Sequence, residues 1–155
     1  MLTAHLPSGY IVGRLVPRFW RPVPKAMPVA LVAAVLPDFD MIWFYLVDNG
    51  RVHHHRYWVH VPAFWGVVAA VALPLLWRSR WRDRAILFFA VILLHLVLDS
   101  IGGGILWAAP FSDRLYSLIT VPPNHGHWII SFLLHWSFAA EAAIWIWAAI
   151  LWRRR

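Results

Sequence analysis

Four apolar stretches of membrane-crossing length carry histidines and aspartates within them, and that combination constrains this chain more than any other feature. The stretches are Val29–Val47, Trp58–Trp77, Ala85 to about Asp99 with a resumption past Gly102-Gly103-Gly104 to Ala109, and Trp128–Trp152. Each approaches the roughly 20 residues that a helix needs to cross about 30 Å of hydrocarbon. Lipid offers no partner to free backbone groups, so helices are the expected form. The expectation is an all-α, polytopic membrane bundle of four main spans, forming a single domain over residues 1–155.

Composition agrees with an apolar solvent. The chain is 61% hydrophobic and 14% charged, with mean hydropathy +0.62, whereas soluble domains are about half apolar and a quarter charged. Twelve tryptophans suit the membrane–water interface, where amphipathic rings concentrate. The net charge of +7 is gathered into three groups, Arg14 to Lys25, Arg78 to Arg84 and Arg153 to Arg155. Apolar stretches separate these groups, which argues against a continuous nucleic-acid surface and follows the positive-inside rule. With all three groups cytoplasmic the chain passes out, in, out and in. Eleven of the fourteen basic residues then lie inside, together with the C-terminus, and only Arg51, Arg56 and Arg114 lie outside. No cleavable signal is expected in Met1–Tyr10, which lacks a basic lead and is interrupted by Pro7 and Gly9. Thr3–Trp20 reads either as a short helix entering the bilayer or as an arm lying flat on it.

An ionisable side chain inside a span costs about 2.5–3.5 kcal/mol on insertion scales and marks function by default. In Leu36-Pro37-Asp38-Phe39-Asp40 the proline removes a backbone donor. The resulting distortion either brings both aspartates to one site or leaves a kink with one aspartate paired to an arginine. His95 and Asp99 stand four apart on one helix face. They form a ligand pair for one ion, or else a hydrogen-bonded pair that ties two helices. His53-His54-His55 reads as a loop at the outer mouth of the second span, and His60 enters that span. Arg56 suits a phosphate or carboxylate, or anchors the chain at the interface. His125-Gly126-His127 precedes the last span, with His135 inside it and Glu141 deeper. Gly102–Gly104 offers backbone N–H groups to an oxyanion, or simply ends a helix. In the topology above Asp38, Asp40, His60, His95, Asp99 and His135 share a level toward the outer leaflet. The chain has no cysteine, so any metal must be held by nitrogen and oxygen. That chemistry suits one or two divalent ions, zinc first and manganese as the alternative.

Five motifs in order carry a resemblance: Thr3-Ala4-His5, Leu36-Pro37-Asp38-Phe39-Asp40, His55-Arg56-Tyr57-Trp58-Val59-His60, His95-Leu96-Val97-Leu98-Asp99 and Trp107-Ala108-Ala109-Pro110-Phe111. Over roughly residues 3–115 the chain resembles the bacterial membrane-bound metal-dependent hydrolases, also labelled LexA-binding inner-membrane-associated hydrolases. The resemblance implies a bacterial inner-membrane location. It places His5, Asp38, Asp40, His55, His60, His95 and Asp99 among the metal ligands. It also favours a steep N-terminal helix that carries His5. More distantly, the order of His and Asp is similar to zinc-dependent phospholipase C, which has a later HxxxE pair. Here His135 is followed four residues on by Ala139, so that pair is incomplete.

The expected function is hydrolysis of a phosphoester or other ester of a lipid or amphiphile through a metal-activated water. Asp40 is the candidate general base. Arg56 is the candidate catalytic and anion-holding residue, and Arg114, His127 and His135 complete the candidate substrate contacts. The expected partners are the bilayer and an amphiphilic substrate, with no nucleic acid. Two other functions use the same residues, a metal or ion transporter and a non-catalytic scaffold with a structural metal.

Overall fold

The computed structural model describes residues 3–122, 124 and 126–154, with the Trp128 side chain excluded. Pro123 and His125 lie outside the described residues. The helices are α1 (His5–Phe19), α2 (Ala26–Val35), α3 (Asp40–Leu46), α4 (Pro62–Leu76), α5 (Arg82–Asp99), α6 (Trp128–Leu133) and α7 (Phe138–Arg153). Short 3-10 turns lie at Pro37–Phe39, His54–Arg56 and Trp58–His60. The described residues contain no strand, only two isolated bridges.

Small residues set the tightest crossing. A Cβ at Gly9 would lie 2.5 Å from the Ala34 Cβ, and one at Gly13 would lie 3.0 Å from the Met27 Cα. Gly9 and Gly13 are one turn apart on α1, and they face the buried Ala30 and Ala34 of α2. This is small-xxx-small packing, which lets two backbones approach closely. The pairing of Gly9 with Ala34 and Gly13 with Met27 makes α1 and α2 antiparallel. On the other side of α2, Leu87, Val91, Ile92 and Leu96 of α5 complete the core. Trp65 of α4 packs on Phe88 of α5. Thr3 meets Glu141, and Tyr10 meets Trp152, so α7 runs alongside α1 in the same direction.

Two of the basic groups meet beyond the end of α1 that lies away from His5. Arg21 pairs with Asp83, and Arg84 Nε donates to the Pro24 carbonyl at 3.0 Å. Away from the core, apolar side chains face outward: Val67, Val71 and Leu75 of α4 are 59–77% exposed.

The spans differ from the sequence expectation. No single described helix is long and apolar enough to cross a membrane; α2 with the Pro37–Leu46 segment passes as a pair, bent by 46°. The break falls at Pro37, which cannot donate to the helical ladder. The second stretch becomes helical only at Pro62, a residue favoured in a first turn because it needs no hydrogen-bond acceptor. His60 therefore precedes its helix, within a 3-10 turn. The third stretch does not resume as helix. After Asp99 the chain turns through Gly102 (φ 95°) and Gly104 (φ 72°), left-handed values that favour glycine. Ile105 then exchanges backbone hydrogen bonds with Tyr116 at 2.9 and 3.0 Å. The fourth stretch breaks between α6 and α7. There His135 Nδ1 accepts from the Ser137 hydroxyl at 2.8 Å and its N–H at 3.3 Å, and local side-chain bonds of this kind compete with the helix.

Candidate metal centre

Five segments bring their polar residues to one point. The start of α1 supplies His5, the break after α2 supplies Asp38 and Asp40, the two 3-10 turns supply His54, His55 and His60, and the last turns of α5 supply His95 and Asp99. His5, His55, His60, His95 and Asp99 are all buried.

Three histidines are oriented alike. His95 Nδ1 donates to the Ala34 carbonyl at 2.7 Å. That carbonyl lies in the last turn of α2, where helical carbonyls lack a partner within the helix. His55 Nδ1 donates to the Gly104 carbonyl at 2.8 Å and lies 3.2 Å from that of Gly103. His60 Nδ1 faces Asp40 Oδ2 at 2.9 Å. At His95 and His55 the carbonyl acceptor puts the proton on Nδ1 and leaves a lone pair on Nε2, and the Asp40 carboxylate stands where it favours the same tautomer of a neutral His60.

Those three Nε2 atoms converge on one carboxylate oxygen. Asp99 Oδ2 lies 3.0 Å from His95 Nε2, 3.6 Å from His60 Nε2 and 3.7 Å from His55 Nε2. The Nε2 atoms of His60 and His95 are 3.5 Å apart. Asp38 Oδ1 closes the group at 3.8 and 3.7 Å from those two nitrogens. On the other side Asp99 Oδ1 is 2.9 Å from His5 Nε2, and the His5 ring stacks on His95 with centroids 3.9 Å apart.

This arrangement has donor atoms close enough together to hold a cation. Lone pairs and carboxylates face one another in a buried space where charge is poorly screened. Zinc–nitrogen distances of about 2.1 Å give donor–donor edges of about 3.4 Å in a tetrahedral site. The observed spacings of 3.5–3.8 Å are close to that edge. Two groups have ligand atoms within 4.8 Å of one another, His5 with Asp38, His95 and Asp99, and His54 with His55 and His60. His5 Nδ1 and His54 Nδ1 are buried without a hydrogen-bond partner. Burial pushes His54 down to about 3 and His55 to about 4, so both stay neutral, which is the form that ligates metal. The donors therefore fit a divalent ion.

A cavity of about 570 Å³ opens beside the cluster. Its walls combine apolar Met41, Ile101, Val121 and Phe132 with the histidine run His53–His55. Asp38 reaches it too, and with 34% side-chain exposure it is the carboxylate of the cluster most open to solvent.

The remaining candidates fall elsewhere. Asp40 stands behind His60, as its Nδ1 partner. Arg56 and Arg114 are exposed and neither lines the cavity; the Arg114 guanidinium lies over the Tyr116 ring at 5.4 Å. His127 caps α6, its Nδ1 accepting from the Ile129 N–H at 3.2 Å, and His135 caps the break before α7. Neither lines the cavity. The glycine run serves through its carbonyls rather than as an oxyanion cradle, since the N–H groups of Gly102 and Gly103 already bond to Ser100 and Asp99. His54 is the residue that sequence reasoning passed over. Within three consecutive histidines no period singles one out, and only the 3-10 turn decides which rings point inward.

The fold and site define a helical protein with a buried histidine–carboxylate donor set of metal-binding type. The chain belongs to the YdjM inner membrane protein family, whose model matches residues 1–154. That places it with proteins of the bacterial inner membrane, in agreement with the membrane half of the resemblance read from the five motifs. No curated protein and no solved structure matches the chain.

Proposed function

We propose that the protein is a membrane-embedded, metal-dependent hydrolase that cleaves a phosphoester or other ester of a lipid or amphiphile. The observation that carries this reading is the convergence of three histidine Nε2 atoms on Asp99, each with an acceptor facing its Nδ1. Such outer acceptors orient ligating histidines and raise their basicity. A bound divalent ion supplies Lewis acidity, polarising the scissile group and acidifying water. His5, Asp38, His55, His60, His95 and Asp99 are the holders. Asp38, the holder most open to the cavity, is better placed than Asp40, the candidate general base, to meet a water bound there.

The cavity supports an amphiphilic substrate: an apolar tail suits Met41, Ile101, Val121 and Phe132, and a polar head suits the histidine wall. Outward apolar side chains on α4 and family membership support a lipid surround. In this reading the bent α2–α3 pair, α4, α5 and the broken α6–α7 pair form the four crossings. The basic end lies at the cytoplasm and the site opens toward the outer leaflet.

The test is hydrolysis by the full chain in detergent or liposomes, against phospholipids, lipid phosphates and carboxylic esters, with zinc and with manganese. Turnover of one class, reduced at least about 100-fold in His95→Ala and Asp99→Asn, supports the reading. Metal flux into proteoliposomes with no hydrolysis in any class would replace it with transport.

A further inference from the structure

We infer that the centre is dinuclear, with Asp99 bridging two ions and His54 serving as a ligand of the second. The inference rests on the metal-centre reading above. Seven side chains offer donors, namely His5, Asp38, His54, His55, His60, His95 and Asp99, whereas zinc in a protein site takes about four ligands. The donors fall into two sets whose members all lie within 4.8 Å of one another, and the sets adjoin where His60 Nε2 is 3.5 Å from His95 Nε2. His5, Asp38, His95 and Asp99 form one set, and His54, His55 and His60 form another. The second set has three donors of its own and gains a fourth from Asp99 Oδ2, at 3.6–3.7 Å from the Nε2 atoms of His60 and His55. The other oxygen, Oδ1, stays with His5 at 2.9 Å. One carboxylate thus faces both sets, as a bridging ligand does.

The ion count also sets the charge of the cluster. With neutral imidazoles the cluster holds Asp38, Asp40 and Asp99. One divalent ion leaves this buried region net negative, which repels an anionic phosphoester. Two leave it net positive, so the two-ion state selects a phosphoester over a neutral carboxylic ester. His54 Nδ1, buried without a hydrogen-bond partner, is accounted for as a donor to the second ion.

The experiment is metal content per chain after zinc or manganese loading and gel filtration, with the spin-resonance spectrum of the manganese form. Two ions per wild-type chain, an exchange-coupled manganese spectrum, and a fall to one ion with an uncoupled six-line signal in His54→Ala support the inference. One ion per wild-type chain with an uncoupled signal overturns it and leaves the mononuclear hydrolase standing. No bound metal in wild type overturns the metal-centre reading as well. Where His54→Ala does not fold, the wild-type spectrum alone decides: coupled supports, uncoupled overturns.

Discussion

Glu141 accepts hydrogen bonds from both the N–H and the hydroxyl of Thr3, two residues ahead of His5. Its carboxyl group is fully buried, and it lies 2.9 Å from Thr3 Oγ1 and 3.2 Å from Thr3 N. Trp145 Nε1 donates to the same hydroxyl at 3.0 Å. The helix α7 therefore holds the chain at Thr3, just ahead of the first candidate ligand, His5. Glu141→Leu removes the acceptor of both part-buried Thr3 bonds and is expected to cost about 0.5–1.5 kcal/mol. By freeing His5 it should also weaken zinc binding about 10-fold or more. Glu141→Gln keeps an accepting oxygen and should restore most of both. Thermal midpoint and zinc titration of the three proteins check this.

Asp40 is expected to act on metal through His60 alone. Asp40→Asn keeps the shape but loses the charge that holds the Nδ1 proton of His60. Loss of such an outer partner typically lowers metal affinity about 10–100-fold. Competition against a chelator of known affinity measures it. An unchanged affinity would return Asp40 to a purely structural role.

Gly103 is kept bare by His55. A Cβ there would lie 2.4 Å from His55 Cε1 and 2.9 Å from the Asp99 carbonyl. Gly103→Ala should displace the ring and, as an overpacked site, lose about 1–3 kcal/mol. The signature is a lower thermal midpoint together with weaker metal retention. Gly9→Ala, which meets the Ala34 Cβ at 2.5 Å, should lower the midpoint by a similar amount through the α1–α2 crossing.

Arg56 and Arg114 give the opposite expectation. Both are exposed and neither lines the cavity. Arg56→Ala and Arg114→Ala should change stability and zinc affinity by no more than about twofold, as surface substitutions do. A larger fall in affinity for a phosphoester substrate would bring them back to the site.

Residue chemistry made much of the centre legible before any fold. Within apolar stretches His60, His95, Asp99 and the aspartates of Pro37-Asp38-Phe39-Asp40 stood out because lipid tolerates such groups poorly. The i, i+4 spacing of His95 and Asp99 indicated their shared face, and the structure places them 3.0 Å apart. What sequence could not separate was ligand from ligand holder. Asp38 and Asp40 differ only by position, and the 3-10 turn at Pro37 sends one to the cavity and the other behind His60. Helix continuity was also hidden. The His135–Ser137 bonds break the last apolar stretch although its hydropathy is continuous. The carbonyls of Gly103 and Gly104 hold His55, a contact between residues 48 and 49 positions apart. His5 was placed by resemblance, and its cause, the Gly9 and Gly13 crossing, became visible only in the packing.

The buried cluster is proposed as a metal centre. X-ray absorption at the metal edge of the purified, zinc-loaded protein tests it most directly. The expected spectrum shows a nitrogen and oxygen shell at about 2.0–2.1 Å without sulfur, and outer scattering from imidazoles. Both should vanish in a folded His60→Ala/His95→Ala variant. A wild-type protein that retains no metal, or a spectrum unchanged in that variant, would contradict it.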